Sequence, residues 1–284
     1  MGKGNKVIKA TKSKSKSKSG KTSSRNTTND VGNNSNNTSN NTSKDGYEFP
    51  SNVDKFLRTR MKDNSYFNIN KYKFKYVISP SQIVIIENFF IKEYCDEIIL
   101  SINERLKFLT TPLVKNKNYA RRNNDRIVLD HSYQLSGKLY GYLKKIVEEH
   151  DVEMGNNNES EMTEFFKGSI GFNPQIRIYR YSKNQFFEKH YDESVKCSVL
   201  DSEKSKVKGK TKWTLLIYLT GDEEIRGGGT MFYDPENSSS CINVHPKKGM
   251  ALFHKHGDDC LLHEAERVHQ GEKWVLRTDL VFPL

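Results

Sequence analysis

The 284-residue chain lacks several features that define whole classes of proteins. It has no apolar run long enough to cross a bilayer and no apolar segment near its start that would serve as a secretory signal, so we expect neither membrane insertion nor secretion. Its four cysteines include no Cys-x-x-Cys pair, which argues against a disulfide framework. Reduced thiols, in the cytoplasm or the nucleus, are therefore the expectation.

Large apolar side chains are nearly absent from residues 1–44, which consist mostly of Lys, Ser, Asn, Thr and Gly. Such a composition cannot bury enough surface to offset the entropy lost on ordering. We therefore predict a disordered basic and Asn-rich tail over residues 1–50. A connecting segment of uncertain structure follows over residues 51–75.

The positive charge of the chain is concentrated in that tail. Nine Lys and one Arg against one Asp give residues 1–44 a net charge of +9, and the whole chain carries +11, so only +2 remains for the rest. The run from Lys12 to Lys18 is either a solvated linker or a weak contact for nucleic acid or another anionic partner. The nearly neutral remainder offers no basic stripe for nucleic acid.

The patterning of residues 76–284 predicts a single domain of the α+β class that is mainly β. Apolar residues recur at helical spacing over Ile91–Phe108 and Tyr133–His150, after a strand at Gln82–Phe90. Beyond Gly168, short strand-like segments alternate with turns. They are Gln175–Tyr181, Gln185–Tyr191, Trp213–Leu219, Gly229–Tyr233, Cys241–Val244, Gly249–His254 and Lys273–Phe282. This order predicts a β-sandwich or jelly roll buttressed by N-terminal helices.

Two polar segments leave their roles open. Leu200–Lys212, which carries five lysines, is predicted to be either a plain solvated connection or a mobile lid over an acidic or extended peptide. Asn123–Arg126 precedes the second helix, where a turn with an N-terminal cap and a substrate contact are both open interpretations.

A candidate metal site begins with His190 and Asp192. Side chains two apart on a strand point to the same face, so both can reach one ion while Tyr191 turns away. A third ligand must come from another strand, and His263, just before the final strand, fits that position. Two imidazoles and a carboxylate are the ligand set of non-haem Fe(II) oxygenases. An exposed hydrogen-bonded His–Asp pair is the alternative.

The final strand carries cations on one face. Lys273, Val275, Arg277 and Asp279 share that face, and the other holds mostly large apolar residues. If the charged face is solvated, it has no further meaning. If it lines the barrel, Lys273 or Arg277 is a buried cation that needs an anion, and a dicarboxylate co-substrate supplies one.

A second cluster of donors competes with this interpretation. His254, His256, Cys260 and His263 are acceptable zinc ligands, although their spacing is not that of the usual zinc loops. The alternative places His254 and His256 on the strand beside the iron site.

The chain resembles the 2-oxoglutarate/Fe(II)-dependent oxygenases, specifically the prolyl 4-hydroxylase-like catalytic domain, from about Ile83 to Phe282. The matching motifs run, in order, through Arg177–Tyr181, Phe187–Asp192, Leu215–Leu219, Gly227–Thr230, Pro246, Gly249, His263–Ala265, Val268, Gly271 and Lys273–Trp274.

This resemblance implies a set of roles. His190, Asp192 and His263 would hold Fe(II), with 2-oxoglutarate and O2 as co-substrates and ascorbate as reductant. Lys273 would pair with the distal carboxylate of 2-oxoglutarate, and Tyr181 would hydrogen-bond the same molecule. Arg277 has no matching role, and we keep it as a second carboxylate contact or a substrate contact. No side-chain nucleophile is required.

The resemblance implies a dioxygenase that hydroxylates proline in an intracellular protein. Two alternatives stay open: the same cofactor chemistry on a nucleobase or small molecule, and a catalytically silent binding module with the same fold. The oligomeric state and the target protein do not follow from the sequence.

Overall fold

The computed structural model describes residues 73–76, 81–105, 108–111, 120–153, 163–235 and 240–284. The predicted disordered tail, residues 1–50, and most of the connecting segment, residues 51–75, lie outside these ranges. Order was expected to begin near Tyr76, and the first described strand ends at that residue.

The described residues form seventeen strands and two α-helices. The helices are α1 (Lys92–Arg105) and α2 (Tyr133–Glu153). The strands are β1 (Lys73–Tyr76), β2 (Ile83–Glu87), β3 (Leu109–Thr110), β4 (Arg122–Asn123), β5 (Asp125–Leu129), β6 (Gly171–Phe172), β7 (Ile176–Tyr181), β8 (Phe186–His190), β9 (Lys196–Leu200), β10 (Lys206–Tyr218), β11 (Arg226–Gly227), β12 (Thr230–Tyr233), β13 (Cys241–Val244), β14 (Ala251–Lys255), β15 (His263–Ala265), β16 (Val268–Gln270) and β17 (Lys273–Pro283). The predicted mainly β class is confirmed.

Two antiparallel sheets carry the fold. The large sheet has the order β1-β2-β14-β10-β17-β7-β5-β3, with β6 paired to β17 and β9 paired to β10. The small sheet has the order β13-β12-β15-β8-β4. A separate pair, β11 and β16, completes the strand pairing of the described residues.

The long central strands β10 and β17 separate two cores. On β17, Trp274, Leu276 and Leu280 belong to an apolar cluster with the helices, whereas Val275 belongs to a second cluster with Phe232 of the small sheet. Because successive side chains point to opposite faces of a strand, Lys273 and Arg277 share the Val275 face. The charged face of β17 thus lies between the sheets.

Both helices pack on the other face of the large sheet. Their apolar stripes are fully buried there and include Tyr94, Cys95, Ile98 and Ile102 of α1 and Leu135, Leu139, Leu143, Ile146 and Val147 of α2. The helical spacing read from the sequence placed these side chains on the correct sides. The order of layers is helices, large sheet, small sheet.

The predicted connection over Leu200–Lys212 is too long, because only residues 201–205 form the exposed turn. β9 and the first half of β10 pair as a hairpin, with Lys206 opposite Leu200 and Lys210 opposite Lys196. The lysines alternate with Val207, Gly209 and Thr211, which is the period of a strand with one wet face. The lysine-rich segment is therefore mostly a paired hairpin, which does not support the hypothesis of a mobile lid.

The turn and N-terminal cap predicted over Asn123–Arg126 are also wrong. Asn123 ends β4 and Asp125 begins β5, where its carboxylate accepts hydrogen bonds from Nε and Nη2 of Arg180 at 3.0 and 2.7 Å.

No helix in the described ranges is long and apolar enough to cross a membrane.

Candidate metal centre

His190 and His263 lie side by side on adjacent strands of the small sheet. His190 ends β8 and His263 begins β15, and the two residues are direct partners in the antiparallel register. Their ring centroids lie 4.3 Å apart. The strand pairing therefore brings together two histidines that are 73 positions apart in the sequence.

Asp192 completes a group of three donors. Its Oδ1 lies 3.7 Å from Nε2 of His190, and its Oδ2 lies 3.7 Å from Nε2 of His263. Tyr191 between the two ligands on the chain is 61% exposed and turns away, as the two-residue period requires. The donor atoms of His190, Asp192 and His263 all lie within 4.8 Å of one another, a spacing that can hold a metal ion. These three residues are called the donor triad below.

The two rings present lone pairs to the interior of the triad. Nδ1 of His190 lies 2.7 Å from the carbonyl oxygen of Glu188, and Nδ1 of His263 lies 2.9 Å from that of Leu261. These contacts place the proton on Nδ1, so each Nε2 is an acceptor. Burial lowers the pKa of His190 to about 3 and also lowers the pKa of His263, which keeps both rings neutral.

Two acceptor nitrogens and an ionised carboxylate then converge, and within the described residues no donor bridges either Nε2 to the carboxylate. Burial opposes the charge on Asp192, but the Arg277 guanidinium outweighs it and holds the pKa of that carboxyl well below its usual value. Acceptors that converge in this way repel one another unless a cation lies among them. The donor set therefore fits a divalent cation, and nitrogen and oxygen donors of this kind suit Fe(II).

Residues of the large sheet hold the outer oxygen of Asp192. Oδ2 accepts a hydrogen bond from Oγ1 of Thr214 at 2.9 Å and pairs with Nη2 of Arg277 at 3.0 Å. The Asp192 backbone N–H donates to Sγ of Cys260 at 3.3 Å. Oδ1, on the His190 side, is left for a metal.

A second hydrogen bond supports Thr214. Nδ1 of His256 lies 3.0 Å from Oγ1 of Thr214. Since that hydroxyl donates its proton to Asp192, it accepts from His256, so the His256 Nδ1 carries a proton. Donation thus runs from His256 through Thr214 to Asp192.

Lys273 is a buried cation beside the triad. It is 2% exposed, and among the described residues no carboxylate lies within 4.0 Å of its ammonium, although Nζ contacts Oγ1 of Thr230 at 3.5 Å. Burial lowers its pKa to about 7, with Glu266 opposing the shift. A buried ammonium of this kind is stabilised by an incoming anion.

The surroundings of Lys273 are aromatic and hydroxylic. Its Nζ lies 5.5 Å from the ring centroid of Tyr181 and 5.4 Å from that of Tyr218, whose hydroxyl bonds Thr230 at 2.7 Å. Tyr181 is the register partner of Lys273 on β7. Within the described ranges the Tyr181 hydroxyl has no hydrogen-bond partner, so it is free to donate to a bound molecule.

Arg277 lies between two carboxylates. Besides Asp192, its Nε is 3.6 Å from Oδ1 of Asp279, the neighbour suggested by the sequence pattern. Although burial disfavours the charge, these two acids raise the pKa of Arg277 above its usual value. The guanidinium borders the same cavity as Lys273, so its proposed contact with a co-substrate is sterically open, but its observed partners belong to the protein.

Sequence reasoning missed Thr214, and it included Thr230 and Tyr218 in the matching motifs without assigning either a role at the site. Thr214 and Thr230 are buried polar residues within apolar strands, and that contrast is the signal which could have found them. The strand β14 places Nε2 of His254 3.7 Å from Asp192 Oδ2, beside the triad as one interpretation expected.

One protein-family model matches part of the chain. Residues 176–278 match the model described as the 2OG-Fe(II) oxygenase superfamily, and this stretch contains the donor triad, Tyr181, Lys273 and Arg277. The resemblance noted in the sequence is confirmed. No curated protein matches the chain.

Several solved structures are similar to the chain. A viral collagen prolyl hydroxylase from Paramecium Bursaria Chlorella virus-1, in complex with 2OG, is 21% identical, with 71% of this chain and 96% of that chain covered and a TM-score of 0.43. A Pseudomonas putida prolyl-4-hydroxylase is 11% identical, with 80% and 99% covered and a TM-score of 0.42.

A third similar structure is a prolyl hydroxylase from Trichoplax adhaerens in complex with a hypoxia inducible factor oxygen degradation domain peptide fragment. It is 12% identical, with 81% of this chain and 91% of that chain covered and a TM-score of 0.45. At these identities and TM-scores, the assignment rests on the family match.

Proposed function

Residues 176–278 of this chain form a 2OG-Fe(II) oxygenase segment, and from that premise we propose that the protein is a dioxygenase which hydroxylates proline in an intracellular protein. Fe(II) is the cofactor of this superfamily, and 2-oxoglutarate and O2 are its co-substrates. The observation that supports the proposal most is the convergence of His190, Asp192 and His263 within 4.8 Å.

The proposed roles follow from the contacts. His190, Asp192 and His263 hold Fe(II), because their free lone pairs face one point. When bound there, the iron and its co-substrates supply the oxidising power that inserts oxygen into a substrate C–H bond while 2-oxoglutarate becomes succinate and CO2. Lys273 pairs with the distal carboxylate of 2-oxoglutarate, and Tyr181 donates its hydroxyl proton to the same molecule.

The walls of the site favour a compact apolar substrate group. The Phe187 ring stacks on His190 with centroids 3.6 Å apart, and Tyr179 lines the same cavity. Aromatic faces of this kind suit the aliphatic ring of proline and exclude water from the reacting position. Choosing proline over other residues also rests on the resemblance of the motifs to prolyl 4-hydroxylases.

Several finer features belong to the same proposal. The sandwich is a double-stranded β-helix braced by N-terminal helices, and ascorbate serves as reductant. The substrate is a protein or peptide in the cytoplasm or nucleus, a setting that fits four free cysteines.

The test uses the full chain reconstituted with Fe(II) and 2-oxoglutarate. Succinate should form in an iron-dependent manner and should increase with proline-containing peptides. The Asp192→Ala variant should produce none. Mass spectrometry of proteins whose proline hydroxylation disappears when Asp192→Ala replaces the native chain would then identify the target.

Each other outcome would identify a different function. Succinate without any peptide hydroxylation, but with oxidation of a nucleobase or small molecule, would overturn the proline assignment. Neither metal binding nor succinate would instead indicate a silent binding module with the same fold.

A further inference from the structure

A second group of metal donors overlaps the donor triad. His254, Cys260 and His263 are all buried, and their donor atoms lie within 4.8 Å of one another. We propose that this group, completed by Asp192, is a site for a soft divalent cation such as Zn²⁺ that competes with Fe(II) for His263. The inference depends on the proposed function only in assigning His263 and Asp192 to iron.

His254 contributes a nitrogen that the iron site does not use. Its Nδ1 lies 3.2 Å from the carbonyl oxygen of Lys255, which places the proton there and leaves Nε2 as an acceptor. That Nε2 faces Oδ2 of Asp192 at 3.7 Å, so its lone pair meets a carboxylate oxygen that Thr214 and Arg277 also hold. The ring centroids of His254 and His263 are 4.6 Å apart, and the donor atoms of these two residues lie within 4.8 Å of each other.

Cys260 contributes the sulfur. Its Sγ lies 3.8 Å from Nδ1 of His263 and accepts the Asp192 backbone N–H at 3.3 Å. In the metal-free protein this thiol donates to the carbonyl oxygen of Leu261 at 3.3 Å, so it carries its proton. Metal binding would release that proton to water and leave a thiolate ligand.

The charge and softness of the set select the ion. One thiolate, two imidazoles and the Asp192 carboxylate would supply four donors of the types that Zn²⁺ prefers. Fe(II) gains less from the thiolate than Zn²⁺ does, whereas the triad offers it only nitrogen and oxygen. The cluster therefore discriminates between metals by ligand type.

Competition follows from the shared ring. A neutral imidazole has one lone pair, so His263 cannot bind both ions without losing its second proton. Asp192 Oδ2 is likewise 3.7 Å from Nε2 of both His254 and His263. Occupation of the second site thus removes two of the three iron ligands.

The four-residue zinc cluster considered from the sequence needs one correction. His256 does not join the group, because it is not among the donors that lie within 4.8 Å of one another, and its Nδ1 bonds Thr214 at 3.0 Å. Asp192 takes the place that the sequence-based cluster gave to His256.

The experiment must report sulfur, because Zn²⁺ also fits the donor triad. Metal-free full-length protein is titrated with Co²⁺, whose bonds to thiolates give a charge-transfer band in the near ultraviolet. We expect the band in the wild type, its loss in Cys260→Ser and His254→Gln, and its retention in His190→Ala. Cys197→Ser is the matched control, since Cys197 is also free but lies on β9. Zn²⁺ should bleach the band and release the bound Co²⁺.

Two results would overturn the proposal: no band in folded wild-type protein, or a band that persists in both Cys260→Ser and His254→Gln. Far-ultraviolet circular dichroism establishes that each variant is folded, and the two variants remove different ligands, so a folding defect in one leaves the other informative. Iron-dependent succinate formation by the wild type is measured separately. Succinate without the band contradicts only the second site, and the band without succinate contradicts only the proposed function.

Discussion

The guanidinium of Arg277 lies 3.0 Å from Oδ2 of Asp192, so the carboxylate of the donor triad is paired with a cation before any metal arrives. Both side chains are largely buried, at 15% and 8% exposure. The pair stabilises the metal-free protein, while its positive charge opposes a second cation nearby.

Replacement of Arg277 should therefore separate stability from metal binding. In Arg277→Gln the buried carboxylate loses its partner, and we expect the metal-free protein to lose about 3–5 kcal/mol of unfolding free energy. The same change should increase the affinity for Mn²⁺, used as a redox-stable substitute for Fe(II). Differential scanning fluorimetry with and without Mn²⁺ measures both effects. An unchanged or smaller Mn²⁺-induced rise in Tm would contradict this account of Arg277.

Thr214 is expected to orient Asp192 through a single hydrogen bond. Thr214→Val keeps the shape of the side chain but removes the donor to Oδ2, and we expect a loss of about 10–100-fold in Mn²⁺ affinity. Thr214→Ser retains the hydroxyl and should restore most of it. Electron paramagnetic resonance of free Mn²⁺ gives the dissociation constants. Equal affinities for the Val and Ser variants would show that packing, not the hydrogen bond, matters at this position.

Lys273 should make the binding of 2-oxoglutarate depend on pH. Burial lowers its pKa to about 7, and a dicarboxylate needs the charged form, so affinity should fall by up to about tenfold per pH unit above that value. Isothermal titration in buffers of different ionisation enthalpy should reveal proton uptake on binding at pH 8. Lys273→Arg stays charged and should show neither effect. A pH-independent wild type would refute the assignment.

The depressed pKa of Lys273 also predicts the stability of the ligand-free protein. Between about pH 7 and the ordinary value of 10.5, the unfolded chain holds a proton that the folded chain has lost, so this residue makes the free energy of unfolding rise with pH. Below about pH 7 the folded protein carries the full cost of a buried charge. Urea melts of wild type and Lys273→Met should converge as pH increases through this window; parallel profiles would contradict the prediction.

Two glycines should respond oppositely to alanine. Gly249 has φ +81°, and a Cβ there would lie 2.1 Å from the carbonyl oxygen of Phe90, so Gly249→Ala should destabilise the sheet by more than about 1 kcal/mol. Gly141 lies within α2 with no atom within 4 Å of a built Cβ. Gly141→Ala should stabilise by about 0.5–1 kcal/mol. Denaturant melts compare the two, and a shift of the same sign in both would refute the argument.

Local sequence patterns predicted much of the fold and the residues of the donor triad. The two-residue period placed His190 and Asp192 together, and the alternation along β17 put Lys273 and Arg277 on one face. The same period, applied to the lysines of β10, would have predicted the hairpin that we took for a loop. The high density of lysines led us to predict a loop there, although a strand with one solvent-exposed face tolerates lysine at every second position.

The contacts around Asp192 could not be predicted in this way. Thr214 and His256 approach it only because β10 and the end of β14 lie across the sandwich from β8, and such tertiary neighbours leave no periodic trace in the sequence. The pairing of Arg277 with Asp192 has the same origin. Sequence patterns indicate the face of a side chain, whereas its partner across the core depends on the packing of the sheets.

His190 and His263 lie on strands of the small sheet and Asp192 follows one of these strands, whereas Arg277 and Thr214 reach Asp192 from the large sheet. A slight loosening between these sheets would part the carboxylate from its supports while each hydrogen-bonded ladder stayed whole. We therefore expect the donor triad to lose its metal at a lower temperature than that at which either sheet unfolds. During synthesis, likewise, the Asp192–Arg277 pair cannot form until the chain includes Arg277 and the two sheets have packed together.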